Sequence, residues 1–129
     1  MGRFQFNAKR SLIASLIAGG DIALRHPVEK AEDDTSDAIS VLQSLSPALS
    51  SRDCVIGIAS SGCTPWVLSG VKYAKSVHCY TAGIACTSPS GLRVDGDCDA
   101  VVEAVVGPEV VTGSTRMKAG TATKLVSRV

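Results

Sequence analysis

The stretch Cys54-Val55-Ile56-Gly57-Ile58-Ala59-Ser60-Ser61-Gly62-Cys63-Thr64-Pro65 decides the fold class. Its first half is an unbroken apolar run, bounded by Ser50-Ser51-Arg52-Asp53 on one side and Ser60-Ser61-Gly62 on the other. Such a run predicts a strand buried on both faces. Pro65 then stands where a helix would begin. Proline at the first helical position pre-sets φ and gives up only an amide that has no partner there. Val67, Leu68, Val71 and Ala74 come after it at helical spacing. A strand passing through a hydroxyl-rich turn into a helix is the building unit of an α/β fold with a parallel sheet.

The turn itself has chemistry. Gly62 lets backbone approach a ligand closely. Hydroxyls of Ser60, Ser61 and Thr64 converge with the free amides of the helix's first turn. That combination suits an anion, and the helix dipole adds to it. In open parallel sheets, ligands sit at the carboxyl ends of the strands. The plain alternative is that these hydroxyls only cap the helix, and on this segment alone the two readings are evenly matched. The turn is not a Walker loop, because no Gly-Lys-Ser/Thr comes next, and no GxGxxG dinucleotide fingerprint is present.

Working outward, residues 79–86 and 100–106 predict two more strands, the second ended by Gly107-Pro108. Residues 87–91 read as a loop, and a helix is expected from near Ser114 to the C-terminus. Upstream, residues 12–18 read equally as a strand or the end of a helix. Gly19-Gly20 with Asp21 suggests a turn and a helix N-cap. Ile22, Ala23, Val28 and Ala31 recur at loosely helical spacing, which Pro27 should kink or shorten. Ser36 or Asp37 is expected to cap a further helix carrying Ile39, Leu42 and Leu45. The strand–helix–strand–loop–strand–helix order implies right-handed crossovers and a parallel sheet within one domain.

Composition narrows the function classes. The chain has 129 residues, 45% hydrophobic and only 4% aromatic, so its core must be built from Val, Ile, Leu and Ala. A net charge of +1, with no basic stripe interleaved with aromatics, gives no case for nucleic-acid binding. Five cysteines without a CxxC pair predict neither a zinc site nor a disulfide framework, and fit reduced thiols in the cytoplasm. No apolar run is long enough to cross a membrane. Residues 1–10 lack the apolar stretch of a secretory signal. His26 and His78 stand alone in sequence and are expected at the surface.

Three segments carry a family resemblance. Gly57-Ile58-Ala59-Ser60-Ser61-Gly62-Cys63-Thr64-Pro65-Trp66-Val67-Leu68 resembles the phosphate loop of sugar isomerase (SIS) domains. Val106-Gly107-Pro108-Glu109-Val110-Val111-Thr112-Gly113-Ser114-Thr115-Arg116-Met117-Lys118-Ala119-Gly120-Thr121-Ala122 is similar to a run specific to the N-acetylmuramic acid 6-phosphate etherases and the related glucokinase regulatory protein. Leu16-Ile17-Ala18-Gly19-Gly20 with Val28-Glu29-Lys30-Ala31-Glu32-Asp33-Asp34 is a third match. The resemblance implies a flavodoxin-like three-layer α/β sandwich with a parallel sheet. It implies binding of an amino sugar 6-phosphate, and cleavage of a lactyl ether by elimination and water addition, giving N-acetylglucosamine 6-phosphate and D-lactate. No metal or organic cofactor is implied. The family enzymes act as homodimers with shared sites.

The chemistry needs a base for the C2 proton and an acid for the leaving oxygen. The resemblance assigns catalysis to Glu32 and Glu109. It assigns substrate or phosphate binding to Ser60, Ser61, Gly62, Thr64, Ser114, Thr115 and Arg116. Plain alternatives stand beside these: a solvated acidic helix end for Glu32, helix capping for Glu109, and an exposed cationic pair for Arg116 and Lys118. The family pattern also has an earlier strand, a Gly-Thr-Ser-Gly-Arg loop and an acid-bearing Asp-Ala-Ser-Glu segment, none of which precedes Leu16. Residues 1–15 therefore read as a divergent or miscalled start and residues 16–129 as a partial SIS domain, incomplete at both ends. Cys63 stands where the etherases usually carry Arg. As a small neutral filler it weakens an anion contact, and as a thiol at a helix N-terminus it could be acidic. Enzymatic activity is left open: the competing expectations are a non-catalytic sugar-phosphate-binding regulatory module and an inactive truncated fragment.

Overall fold

The computed structural model describes residues 3, 4, 12–96 and 98–127. Most of the N-terminal segment 1–15 lies outside these. Two short strands, β1 (Arg3–Phe4) and β2 (Ile13–Ala14), pair antiparallel. The helical pattern predicted for residues 22–31 is broken into one turn of helix, α1 (Gly20–Ala23), and a 3-10 turn at Ala31–Asp33. Gly19, not Asp21, occupies the N-cap of α1, and Pro27 lies in the non-helical stretch between the two turns.

Helix α2 (Thr35–Gln43) is capped by Asp34, whose Oδ1 accepts from the amides of Ser36 and Asp37, both at 3.0 Å. The expected caps Ser36 and Asp37 are thus the donors, and Leu45 lies past the helix end. The decisive stretch forms strand β3 (Cys54–Ile58) and helix α3 (Pro65–Ser76), with Pro65 in the first turn as predicted. Strand β4 (Tyr80–Ala85), helix α4 (Gly91–Val94), strand β5 (Ala100–Glu103) and helix α5 (Lys118–Val126) complete the chain. The single turn of α4 begins at the end of the stretch expected as loop. Helix α5 begins at Lys118 rather than near Ser114.

Strands β3, β4 and β5 form a parallel three-stranded sheet in that order, with Ile56 opposite Ala82 and Ala82 opposite Ala100. On one face, Val71, Ala85 and Leu92 form the core, flanked by Val67, Leu68, Cys98 and Val101. Gly57 permits this packing: a Cβ there would lie 2.8 Å from Val71 Cγ2 and 2.9 Å from Val67 Cγ1, so α3 presses directly on the strand. Helix α2 packs on α3 in turn, with Leu42 Cδ1 3.5 Å from the Cβ position of Gly70. At the amino edge, Asp99 Oδ2 accepts from the amide and hydroxyl of Thr81 (2.8 Å each), and Lys75 pairs with its Oδ1 at 3.1 Å.

The opposite face corrects one expectation. Ile56 is 54% exposed, Ile58 47%, Tyr80 54% and Val102 48%, so β3 is not buried on both faces. Sheet and one helical layer of the α/β sandwich are present. Among the described residues, helices α3 and α4 cover one face only, because both crossovers return on the Gly57 side. No helix among the described residues is long and apolar enough to cross a membrane.

Candidate functional site

Parallel strands bring the loops at their carboxyl ends to one edge of the sheet. Three backbone bonds extend the ladder past the strand ends there. Ala59 N donates to Ile84 O (3.1 Å), Cys86 N to Ser60 O (2.8 Å) and Ala104 N to Ala85 O (2.8 Å). Residues 60–64 are the first of these loops. Gly62 turns the chain with φ 75 and its amide donates to Ala59 O at 3.0 Å. Ser61 Oγ accepts from the amide of Cys63 at 3.1 Å, and the Cys63 Sγ lies 3.6 Å from the Ser61 carbonyl.

Among the three longer helices, α2, α3 and α5, the end at this loop stands apart. α2 has the Asp34 carboxylate on its first-turn amides, and α5 has that of Glu109. α3 has neither: Thr64 is its N-cap residue but makes no side-chain cap bond, and no acidic residue lies in the first turn. Twelve residues of aligned peptide dipoles therefore end on amides with no side-chain acceptor, beside the hydroxyls of Ser60, Ser61 and Thr64. Leu68 N is already bonded to Thr64 O at 3.0 Å and Pro65 has no N–H, so the first-turn donors that remain are the amides of Trp66 and Val67. This arrangement can hold an anion.

Glu109 Oε1 and Oε2 accept from the amides of Ala119 and Lys118, each at 3.0 Å. Those bonds, chiefly the one from Ala119, hold its carboxyl below the usual glutamate range. The cap brings α5 to the same sheet edge, where Cys86 Sγ lies 3.5 Å from Ala119 O and 3.6 Å from Thr123 Oγ1. Cys86 thus joins the Ser60 carbonyl to the α5 end. Ser114 Oγ accepts from the Arg116 amide at 3.3 Å, while Thr115 and Arg116 are exposed. Glu32, in the 3-10 turn, is exposed. Trp66 Nε1 donates to Asp37 Oδ2 at 2.8 Å, tying the first turn of α3 to that of α2, immediately after the turn that carries Glu32. His26 and His78 are exposed, all five cysteines are free thiols, and no metal-binding cluster exists among the described residues.

Sequence reasoning missed Glu103. It accepts hydrogen bonds from Ser88, Ser90 and Arg93, which draw its carboxyl down to about 2, with the Arg93 bond foremost. A lone acid inside a predicted strand was the only signal for it.

A family model described as the glucokinase regulatory protein N-terminal SIS domain matches residues 3–75, more than half of the chain. The chain belongs to this SIS-domain family. Curated relatives extend the match. N-acetylmuramic acid 6-phosphate etherases of Escherichia coli O1:K1 / APEC, Histophilus somni (strain 129Pt) and Shigella dysenteriae serotype 1 (strain Sd197) are each 46% identical over 121 residues. The alignment covers 94% of this SIS-domain chain and 39% of each relative. The chain thus spans about two-fifths of the length of the curated relatives it matches. In this SIS domain the matched loop is the hydroxyl-rich turn in front of the uncapped helix α3.

Proposed function

We propose that the chain binds an amino sugar 6-phosphate, with the phosphate seated against residues 60–64 and the first turn of α3. The observation that carries this reading is the open N-terminus of α3, set among hydroxyls at the carboxyl edge of a parallel sheet. Amides of the first turn and the hydroxyls of Ser60, Ser61 and Thr64 donate to the phosphate oxygens, and Gly62 keeps side-chain bulk away. Ser114, Thr115 and Arg116, preceding α5 at the same edge, contribute polar groups toward the rest of the ligand.

The reaction proposed for the longer protein is that of the etherase relatives: elimination of D-lactate from N-acetylmuramic acid 6-phosphate leaves a carbon–carbon double bond, and water adds across it to give N-acetylglucosamine 6-phosphate. Glu32 and Glu109 are the proton-transfer carboxylates of this proposal, in a cytoplasmic homodimer without metal or organic cofactor. Free thiols at all five cysteines accord with the compartment. A second reading, a non-catalytic sugar-phosphate module, is favoured by one observation. Both oxygens of Glu109 are engaged as a helix cap and its carboxyl is acidified, which makes a weaker base.

Calorimetry with N-acetylglucosamine 6-phosphate tests the binding. The natural chain should release heat on titration, and Ser61→Ala should weaken binding by about 10- to 100-fold, the worth of one hydrogen bond to a charged group. No heat from folded protein, or no effect of the substitution, overturns the proposal. Lactate release from N-acetylmuramic acid 6-phosphate separates the readings: binding without release selects the non-catalytic module.

A further inference from the structure

Glu103 ends β5, on the far side of β4 from the loop at residues 60–64, yet one segment connects the two. Its Oε2 accepts from Ser88 Oγ at 2.7 Å. Its Oε1 accepts from Ser90 N, Ser90 Oγ and Arg93 Nε, each at 2.9 Å. The carboxylate therefore gathers the β4–α4 loop and the first turn of α4 onto the end of β5. Ser90 and Leu92 within that segment are 0% exposed.

The other side of the same segment backs onto the anion loop. Gly91 N donates to Ser61 O at 3.2 Å, and Cys86 N to Ser60 O at 2.8 Å. A Cβ on Gly62 would stand 2.8 Å from Leu92 N, 2.9 Å from Gly91 N and 3.0 Å from Ser90 Cβ. Residues 60–62 thus lie in van der Waals contact with a wall that cannot shift by a few tenths of an ångström without moving them. The contacts run from carboxylate to wall to loop without a gap.

We infer that Glu103 is a positioning residue for the anion loop: it fixes residues 88–93 as the wall against which residues 60–62 take their conformation, and so sets the affinity of the site without touching the ligand. The ligand in this inference rests on the proposed sugar-phosphate reading; the coupling rests on the contacts alone. The carboxyl stays ionised at neutral pH, so its hydrogen bonds are of the stronger, charge-assisted kind. Gln at this position keeps the shape but has one acceptor oxygen, and its NH2 must face one set of the present donors.

The test is amide hydrogen exchange on the full chain without ligand, then titration with N-acetylglucosamine 6-phosphate. In Glu103→Gln the amides of Gly62, Cys63 and Gly91 should exchange about tenfold faster or more, while those within β3 and the middle of α3 hold their rates. Affinity for the sugar phosphate should fall by about tenfold. Ser88→Ala, which removes only the exposed hydroxyl on Oε2, should accelerate the same amides to a smaller degree. If exchange rises only within residues 88–93 and residues 60–63 are unchanged in both variants, Glu103 is a local brace and the inference is wrong. Should Glu103→Gln not unfold cooperatively, Ser88→Ala decides by the same amides. Absence of binding by the natural chain would defeat the sugar-phosphate reading instead, and the exchange pattern would still decide the coupling.

Discussion

Gly62 carries two constraints at once: a left-handed backbone at φ 75 and a missing side chain that would meet the Leu92 amide at 2.8 Å. Either alone disfavours every other residue. Gly62→Ala should therefore destabilise the chain by at least the usual cost of such a backbone, about 1–3 kcal/mol, read as a lower urea midpoint. It should also abolish sugar-phosphate binding, because relief of the clash moves Ser61. At this scale the strand-to-helix turn at residues 60–65 was legible because its signals are local: hydroxyls, glycine and Pro65 sit within six residues. The role of Glu103 was not: Ser88 precedes it by fifteen residues, so no spacing rule connects them. Capping by Glu109 was one of the two readings open to it, although Lys118 lies nine residues beyond.

Among the elements, α2 and α3 are joined at both the polar and the apolar level. Trp66 Nε1 reaches Asp37 at 2.8 Å, and buried Leu42 rests on Gly70. Leu42→Ala removes the larger part of the apolar contact and should cost about 2–5 kcal/mol in urea denaturation with an unchanged slope. The existence of α2, α3 and the three parallel strands was readable from apolar runs and turn residues. Their ends were less so. Asp34, Ser36 and Asp37 can all cap, and only the geometry shows that Asp34 does. α5 starts late because its cap, Glu109, comes from outside the helix's own sequence neighbourhood.

For the molecule as a whole, Glu103 and Asp99 tie the two ends of β5 to their neighbours, and both carboxyls are held at about 2. Hydrogen bonds from Arg93 and from Thr81, respectively, are the leading causes. A carboxylate whose folded pKa lies below its unfolded value stabilises the fold above the unfolded value. That contribution is lost as pH falls toward the folded one. Stability should thus be flat near neutrality and fall between about pH 4.5 and 2, and the gap between the natural chain and Glu103→Gln in thermal melts should close over that window. The exposed face of the sheet was illegible from sequence, since an apolar run such as residues 54–59 looks the same whether one face or both are covered.

Because no side chain closes the first turn of α3, an anion seated there would serve as a keystone shared by ligand and scaffold. Mass action then makes occupancy a determinant of survival: at a hundredfold excess over Kd, the bound species gains about 2.7 kcal/mol over the unfolded chain. Melting temperature should climb with the logarithm of added sugar phosphate. The chain would be sturdiest where sugar phosphate abounds and first to be lost where it is scarce.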